Sequence, residues 1–243
     1  MNLITTYYIS ENIERQNEIN KCLIKNIQNK YIQKIYLLNS EIYNLDFINT
    51  IDIHNKVVQI QIYDDCECEC ESESTSKKIL KYSDAIDFIN NNLGESLCIL
   101  ANSDIYFNES LTKINYESMH GKFYALLRYD EEFNGKRTIF KRHDIPRDDS
   151  QDAWIFNSPL QINLSHIDFH FGTLGCDSIF ANAVHDNTFL KVSNPAYDII
   201  TTHVHQTQFR SYNCDNRIHG KYALIKPTHL NSDDDNIITF MDY

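Results

Sequence analysis

Glycine and proline are scarce in this sequence, with 6 Gly and 4 Pro in 243 residues. So few chain breakers exclude a collagen-like or low-complexity chain and leave room for regular structure. No stretch approaches the ~18 apolar residues that a spanning helix requires, so no membrane span is expected. The opening run Met1-Asn2-Leu3-Ile4-Thr5-Thr6-Tyr7-Tyr8 lacks the basic region and long apolar segment of a secretory leader, and a cytoplasmic location is expected. Positive charge is also short, with 22 Lys and Arg against 34 Asp and Glu and a formal net charge of −12. That deficit disfavours a nucleic-acid partner, because a phosphate backbone is bound by clustered Lys and Arg. A phosphate-bearing ligand would need a metal or a locally basic pocket. The seven Cys are an odd number, and Cys22 and Cys98 fall in apolar segments where a reduced thiol packs as a small hydrophobe. No disulfide framework is implied.

What is present suits a soluble α/β chain, read as a single domain over 1–243. Hydrophobic residues make up 42% and charged residues 23%, close to the globular average. Leu3 to Tyr8 is β-rich, and Ser10 is placed to cap a helix from Glu11 to Asn29 whose Ile19, Cys22, Leu23 and Ile27 share one face. Gln33 to Leu38 and Lys56 to Tyr63 have strand composition, the second alternating Val58, Ile60 and Ile62 with Gln59 and Gln61. Ser83 is expected to cap a second helix with Ala85, Ile86, Ile89 and Leu93 inward, closed by Gly94. The run Ser96-Leu97-Cys98-Ile99-Leu100-Ala101 then reads as a central strand covered on both faces. This order implies a mostly parallel central sheet with helices on both faces, in which ligands bind beyond the carboxyl ends of the strands.

The second half is less regular. Strand-like runs fall at Lys122 to Arg128, Ala153 to Phe156 and Ile199 to His205, with a loop at His143 to Gln151 and a short helix from Asp177 to Val184. Residues 64–78 begin Asp64-Asp65-Cys66-Glu67-Cys68-Glu69-Cys70 and are nearly devoid of core-forming side chains, as expected of an acidic surface loop. Three alternating thiols also invite a zinc reading, but the second ligand pair of a zinc site does not follow.

The chemistry concentrates after Ala101. Asn102-Ser103-Asp104 follows the apolar strand directly, so Asn102 and Asp104 project from the carboxyl edge of the sheet. Mg²⁺ or Mn²⁺ takes carboxylate oxygens and keeps positions open for phosphate oxygens, which makes Asp104 the candidate metal ligand. The plainer reading is that both residues cap a turn.

A strand ending in an Asp-x-Asp-like element, about 100 residues into a Rossmann-like half, resembles the donor-binding half of GT-A-type glycosyltransferases. The resemblance implies a GT-A fold, a nucleotide-diphosphate sugar as donor and a carbohydrate or other hydroxyl acceptor. It places the nucleotide-sugar half at 1–107 and the acceptor and catalytic half at 108–243. It also implies donor contacts from Thr6, Tyr7 and Arg15 after the first strand, and from Asn102 and Ser103 in the motif. Asn102 stands at the first Asp position of that motif, where an amide bonds ribose or metal-bound water but brings no charge.

Thr201-Thr202-His203-Val204-His205 puts two imidazoles on one side of a strand. They are either ordinary strand residues or, by the same resemblance, partners of Asp104 in a metal shell. Asp177 follows the Gly-punctuated turn Phe171-Gly172-Thr173-Leu174-Gly175-Cys176, and two jobs fit it. It caps a helix, or it resembles the carboxylate that deprotonates the acceptor in inverting GT-A enzymes. Asp152 is the competing acid, beside Trp154, which either stacks on a sugar or belongs to the core. Arg128 forks onto a donor diphosphate or pairs with Asp130 or Glu131.

The expected reaction is therefore sugar transfer to a hydroxyl acceptor, with inversion favoured by the available carboxylates. Nucleotidyl transfer would call for a Gly-rich loop after the first strand, where Thr6-Tyr7-Tyr8-Ile9-Ser10-Glu11 has no Gly. A metal-dependent hydrolase built on His203 and His205 and a non-catalytic nucleotide- or carbohydrate-binding scaffold stay open as alternatives.

Overall fold

The computed structural model describes residues 1–52, 54–62, 79–207, 217–232 and 238–242. The acidic Cys66-Cys68-Cys70 segment lies outside these described residues.

The chain opens with strand β1 (Asn2–Thr5), helix α1 (Ile13–Gln28), β2 (Lys34–Asn39) and β3 (Val57–Gln61), followed by α2 (Tyr82–Asn92) and β4 (Ser96–Ala101). Five short strands intervene at β5 (Ile105–Phe107), β6 (Lys122–Leu126), β7 (Arg128–Glu131), β8 (Arg137–Ile139) and β9 (Lys141–Arg142). Then come β10 (Ile145–Pro146), β11 (Ala153–Ser158), α3 (Cys176–Asn187), β12 (Lys191–Ser193), β13 (Thr201–His203), β14 (Lys221–Ile225) and β15 (Ile238–Asp242). Among the described residues no helix is long and apolar enough to cross a membrane.

The main sheet runs β12-β6-β11-β4-β1-β2-β3. Its pairings are parallel except those of β11, which is antiparallel to both β4 and β6. Side-chain alternation explains why these strands read as continuous apolar runs. Leu97, Ile99 and Ala101 of β4 and Leu3 of β1 face Ile19, Leu23 and Ile27 of α1. Cys98, Leu100 and Ile4 face the opposite way, onto Ala85, Ile86 and Ile89 of α2 and Phe180, Ala181 and Val184 of α3. Both faces of the sheet are thus shielded from water by helices, as expected for a buried parallel sheet. Cys22, Cys98 and Cys176 are buried free thiols.

Local ends differ in detail from expectation. Helix α1 is capped by Asn12, whose side chain accepts from Arg15 N at 2.9 Å, while Ser10 Oγ accepts from Asn12 N one step earlier at 3.2 Å. Helix α2 starts after Lys81, and Ser83 lies inside its first turn, its hydroxyl donating to Asp168 at 2.9 Å. Gly94 does follow the helix at φ 57°, the left-handed conformation that glycine adopts without strain.

A second sheet, β5-β13-β7-β8, stands at the carboxyl edge of the first. The run expected as one strand from Lys122 to Arg128 splits there: β6 belongs to the main sheet and β7 to the small one. Likewise β4 passes through the Asn102-Ser103-Asp104 turn into β5. Two neighbouring parts of the main sheet therefore feed a shared platform at the edge where ligands bind in such folds.

Candidate functional site

The Asn102–Asp104 turn is closed by Ile105 N donating to Asn102 O at 3.2 Å, and anchored by Asn102 N donating to Asp152 O at 3.2 Å on the adjacent antiparallel strand. The Asp104 side chain is buried there, between Arg15 of α1 and His203 of β13. Strand β13 carries His203 to the same point. It is antiparallel to β5 with His203 opposite Ile105, and parallel to β7 with His203 opposite Asp130. Val204 N continues the ladder onto Asp104 O at 3.0 Å.

Three groups converge there. Arg15 Nη2 donates to Asp104 Oδ2 at 2.6 Å, and His203 Nε2 lies 3.2 Å from the same oxygen. His203 Nδ1 is 2.9 Å from Asp130 Oδ1, so the imidazole is bracketed by two carboxylates. The His205 ring lies 5.4 Å from that of His203, centroid to centroid. One ligand atom from each of Asp104, His203 and His205 falls within 4.8 Å of the others. These two imidazoles and one carboxylate form a group that can hold a metal. Two imidazole nitrogens among the donors suit Mg²⁺ least, since it demands a near-octahedral shell of oxygens.

Burial by itself would raise the Asp104 carboxyl, but His203 and Arg15 outweigh it and hold the group well below the ordinary carboxylate range. Burial likewise pushes His203 down, while Asp104 and Asp130 more than compensate and raise it above the usual imidazole value. Arg15, Asp104, His203 and Asp130 thus form one chain of paired groups.

The chain of charges continues across the edge. Arg128 Nε donates to Asp130 Oδ1 at 2.9 Å and Arg128 Nη1 to Asp152 Oδ1 at 3.1 Å. Asn102 Nδ2 donates to the same Asp152 oxygen at 3.3 Å. Arg128 therefore has its ion pair with Asp130, and with Asp152 as well, whereas Glu131 pairs with Lys21 and Tyr106. Trp154 is fully buried against Tyr82 and Phe180, so it is a core residue and is out of reach of a sugar.

Asp177 lies in the first turn of α3, after Gly175, which takes φ 89°. A side chain at Gly175 would overlap the Tyr222 ring, so this tight turn requires glycine. The half-buried Asp177 accepts from Gln151 N at 3.0 Å, which ties the helix start to the residue before Asp152. Burial, assisted by the nearby Asp152 charge, pushes Asp177 up to about 6 against the backbone donors that favour its ionised form.

The expected donor contacts are placed unevenly. Thr6, Tyr7 and Ser103 border a gap with room for about one water, closed by Ile19, Leu23 and Asn26 of α1 and by Leu37 and Ile105. The strand order reverses between β4 and β1, and the open edge beyond them, not this gap, is the usual place for a ligand in such sheets. Tyr7 itself is buried, its N–H donating to Asn39 Oδ1 at 2.8 Å and its hydroxyl to Asn20 Oδ1 at 2.8 Å. Arg15, expected at a phosphate, is committed to Asp104, to Glu18 at 3.0 Å and to Val204 O at 3.3 Å.

Glu18 was missed in the sequence. Its Oε1 accepts from Gln206 N at 2.6 Å and Thr207 N at 2.9 Å, and its Oε2 from Thr207 Oγ1 at 3.1 Å. It thereby fastens the segment just after His205 onto α1. The available signal was its position three residues after Arg15, which puts both on one helix face. Asp130 was seen only as a partner for Arg128, because its bond to His203 exists only once β7 and β13 pair.

The sequence matches no protein-family model and no curated protein. The structure is similar to TarS residues 1–349 of S. aureus in complex with UDP-GlcNAc, at TM-score 0.52 and 10% identity. That superposition covers 84% of this chain and 58% of the TarS chain, so this chain spans less than two thirds of its length. Looser similarities relate it to the apo-form glycosyltransferase GlyE of Streptococcus pneumoniae TIGR4, at TM-score 0.41 and 14% identity over 76% of this chain and 43% of that one. HddC of Yersinia pseudotuberculosis follows at TM-score 0.37 and 14% identity, over 66% and 78%. The α/β architecture, with its mostly parallel mixed central sheet, matches GT-A glycosyltransferase structures.

Proposed function

We propose that this protein is a glycosyltransferase that moves a sugar from a nucleotide-diphosphate donor to a hydroxyl acceptor with inversion. The observation that carries the reading is the meeting of Asp104, His203 and His205 at the carboxyl edge of the main sheet, near where its strand order reverses between β1 and β4. Its likeness in fold to TarS, a protein seen with UDP-GlcNAc, is in keeping with this.

Asp104, His203 and His205 would hold a divalent cation, Mn²⁺ in preference to Mg²⁺. Such a cation, when bound, neutralises negative charge on the leaving diphosphate. Arg15 sits on Asp104 and would have to share or release that carboxylate, leaving its own charge beside the same phosphates.

Asp177 is the proposed base. Its raised value keeps it near the working pH, where a general base is most effective. The acceptor oxygen forms its bond to the anomeric carbon as the bond from that carbon to the diphosphate oxygen breaks. The hydroxyl proton passes to Asp177, and the electron pair leaves with the diphosphate. Asp152, engaged by Arg128 and Asn102, would position Arg128. Residues 1–107 would bind donor and 108–243 the acceptor, in a single domain acting in the cytoplasm.

Thermal stabilisation by a panel of nucleotide sugars, with and without Mn²⁺, tests this. A metal-dependent shift for one donor is expected, and no shift with any donor would sink the reading.

A further inference from the structure

His203 meets a carboxylate at each ring nitrogen, and the two carboxylates stand in different relations to the metal-holding group. Asp104 lies 3.2 Å from Nε2 and belongs to that group with His203 and His205. Asp130 lies 2.9 Å from Nδ1, on the other side of the ring. The two nitrogens of an imidazole point in divergent directions, so a cation on Nε2 is out of reach of the Asp130 oxygen bonded at Nδ1. What Asp130 does reach is the ring N–H.

Strand register builds this contact. β7 and β13 are parallel neighbours with Asp130 directly opposite His203, so both side chains leave the same face of the small sheet. Asp130 is itself held, because Arg128 Nε donates to the same Oδ1 at 2.9 Å. Arg128 is fixed in turn by Asp152, next to β11, at 3.1 Å, and its guanidinium carbon lies 3.9 Å from the centroid of the Phe140 ring. A line of bonds thus runs from Asp152 through Arg128 and Asp130 to the buried imidazole of His203.

We propose that Asp130 is a positioning residue for the metal group: it accepts the Nδ1–H of His203 and so keeps Nε2 turned towards Asp104 as the ligating nitrogen. The inference deepens the transferase reading and rests on its metal group. A metal-binding histidine commonly gives its other N–H to a carboxylate, which fixes the ring and makes the ligating nitrogen a better donor. Asp130 acts only through His203 and touches neither cation nor substrate.

The test is Mn²⁺ binding by the full chain, followed by titration calorimetry without nucleotide. Wild type, Asp130→Asn, Asp130→Glu, His203→Ala and Asp130→Asn/His203→Ala are compared, and binding that persists in Asp104→Ala is subtracted as binding elsewhere. Asp130→Asn should weaken Mn²⁺ binding by about 10–100-fold, the usual cost of losing such a carboxylate. Asp130→Glu, which keeps the carboxylate one methylene further out, should lose less. With no ring left to orient, the double variant should bind as His203→Ala does. Co²⁺, which nitrogen and oxygen donors hold more tightly than Mn²⁺, replaces it where binding falls out of range. An effect of Asp130 through its charge alone would persist without the imidazole, so additive losses overturn the proposal, as does unchanged affinity in Asp130→Asn. The Asp130 side chain is 41% exposed and Arg128 keeps Asp152, so the single variants should fold. Should Asp130→Asn fail to fold, Asp130→Glu carries the same cycle. A wild type that binds neither cation removes the metal group from the transferase reading and the proposal with it. Binding that is indifferent to Asp130 defeats the proposal and leaves that reading standing.

Discussion

Asp104 and His203 are 99 residues apart in the chain and meet at 3.2 Å, on an oxygen that Arg15 also holds. The carboxylate thereby joins two buried side chains, Arg15 and His203, and several expectations follow from its removal and from that of its neighbours.

Replacing Asp104 by Asn keeps the shape and deletes the charge. Arg15 and His203 then face an amide from buried positions, and breaking such a pair should cost about 3–5 kcal/mol of stability. Denaturant unfolding measures that loss. The same variant should lose any Mn²⁺-dependent stabilisation by nucleotide sugar, and a retained shift would remove Asp104 from the metal group.

Asp177→Asn should leave donor binding intact and lower turnover by about 10²–10⁴-fold, the usual contribution of a general base. In the wild type, kcat/KM should rise with pH through about 6 as the carboxyl ionises. Unimpaired turnover in the variant would leave Asp177 with its helix-start role alone.

The same residue affects stability in the opposite sense. Its folded value of about 6 lies above the ordinary 3.8, so between these the folded state keeps a proton that the unfolded chain has released. Stability contributed at this position is therefore lost as pH rises from 3.8 to about 6 and is constant beyond. Melting temperatures of wild type and Asp177→Asn, compared across that window, should show the wild type losing ground as pH rises.

Glu18→Ala should free the segment after His205 and leave Arg15 with one fewer carboxylate. Loss of a buried partner of this kind costs about 3–5 kcal/mol. Hydrogen exchange should quicken at the Gln206 and Thr207 amides, which donate to Glu18. Glu18→Gln should restore part of the protection, since its amide oxygen still accepts.

Gly175→Ala meets both a positive φ and the Tyr222 ring. A cost of about 1–3 kcal/mol is expected from backbone strain alone. Adding Tyr222→Ala should relieve the overlap but leave the strain, so the double variant should recover only in part when scored against Tyr222→Ala.

The α/β architecture and the place of the Asn102-Ser103-Asp104 turn were legible in the sequence, because a covered strand such as 96–101 has to be apolar on both faces and a turn at its end has to be polar. Helices α1 and α2 were legible for the same reason, since their inward faces repeat at the helical period. Exact caps were not, because Ser10, Asn12, Ser83 and Lys81 are all competent near a helix start and small differences in local bonding decide among them. The small sheet as a unit was illegible: β13 was expected within a longer strand from Ile199 to His205, but β5 and β7 are three and four residues long, too short to carry a periodicity. Asp104 was a candidate from its place after the apolar strand, and His203 from the alternation of His203 and His205 along an expected strand. Only the pairing of β13 with β5 and β7 placed them together, and with them Arg15, Asp130 and Glu18. Sequence by itself thus determined which residues are buried in strands and which edge carries the polar turn, through local apolar patterning. Tertiary structure decided which charges meet at that edge, because contacts between distant segments depend on strand register, which no local pattern encodes.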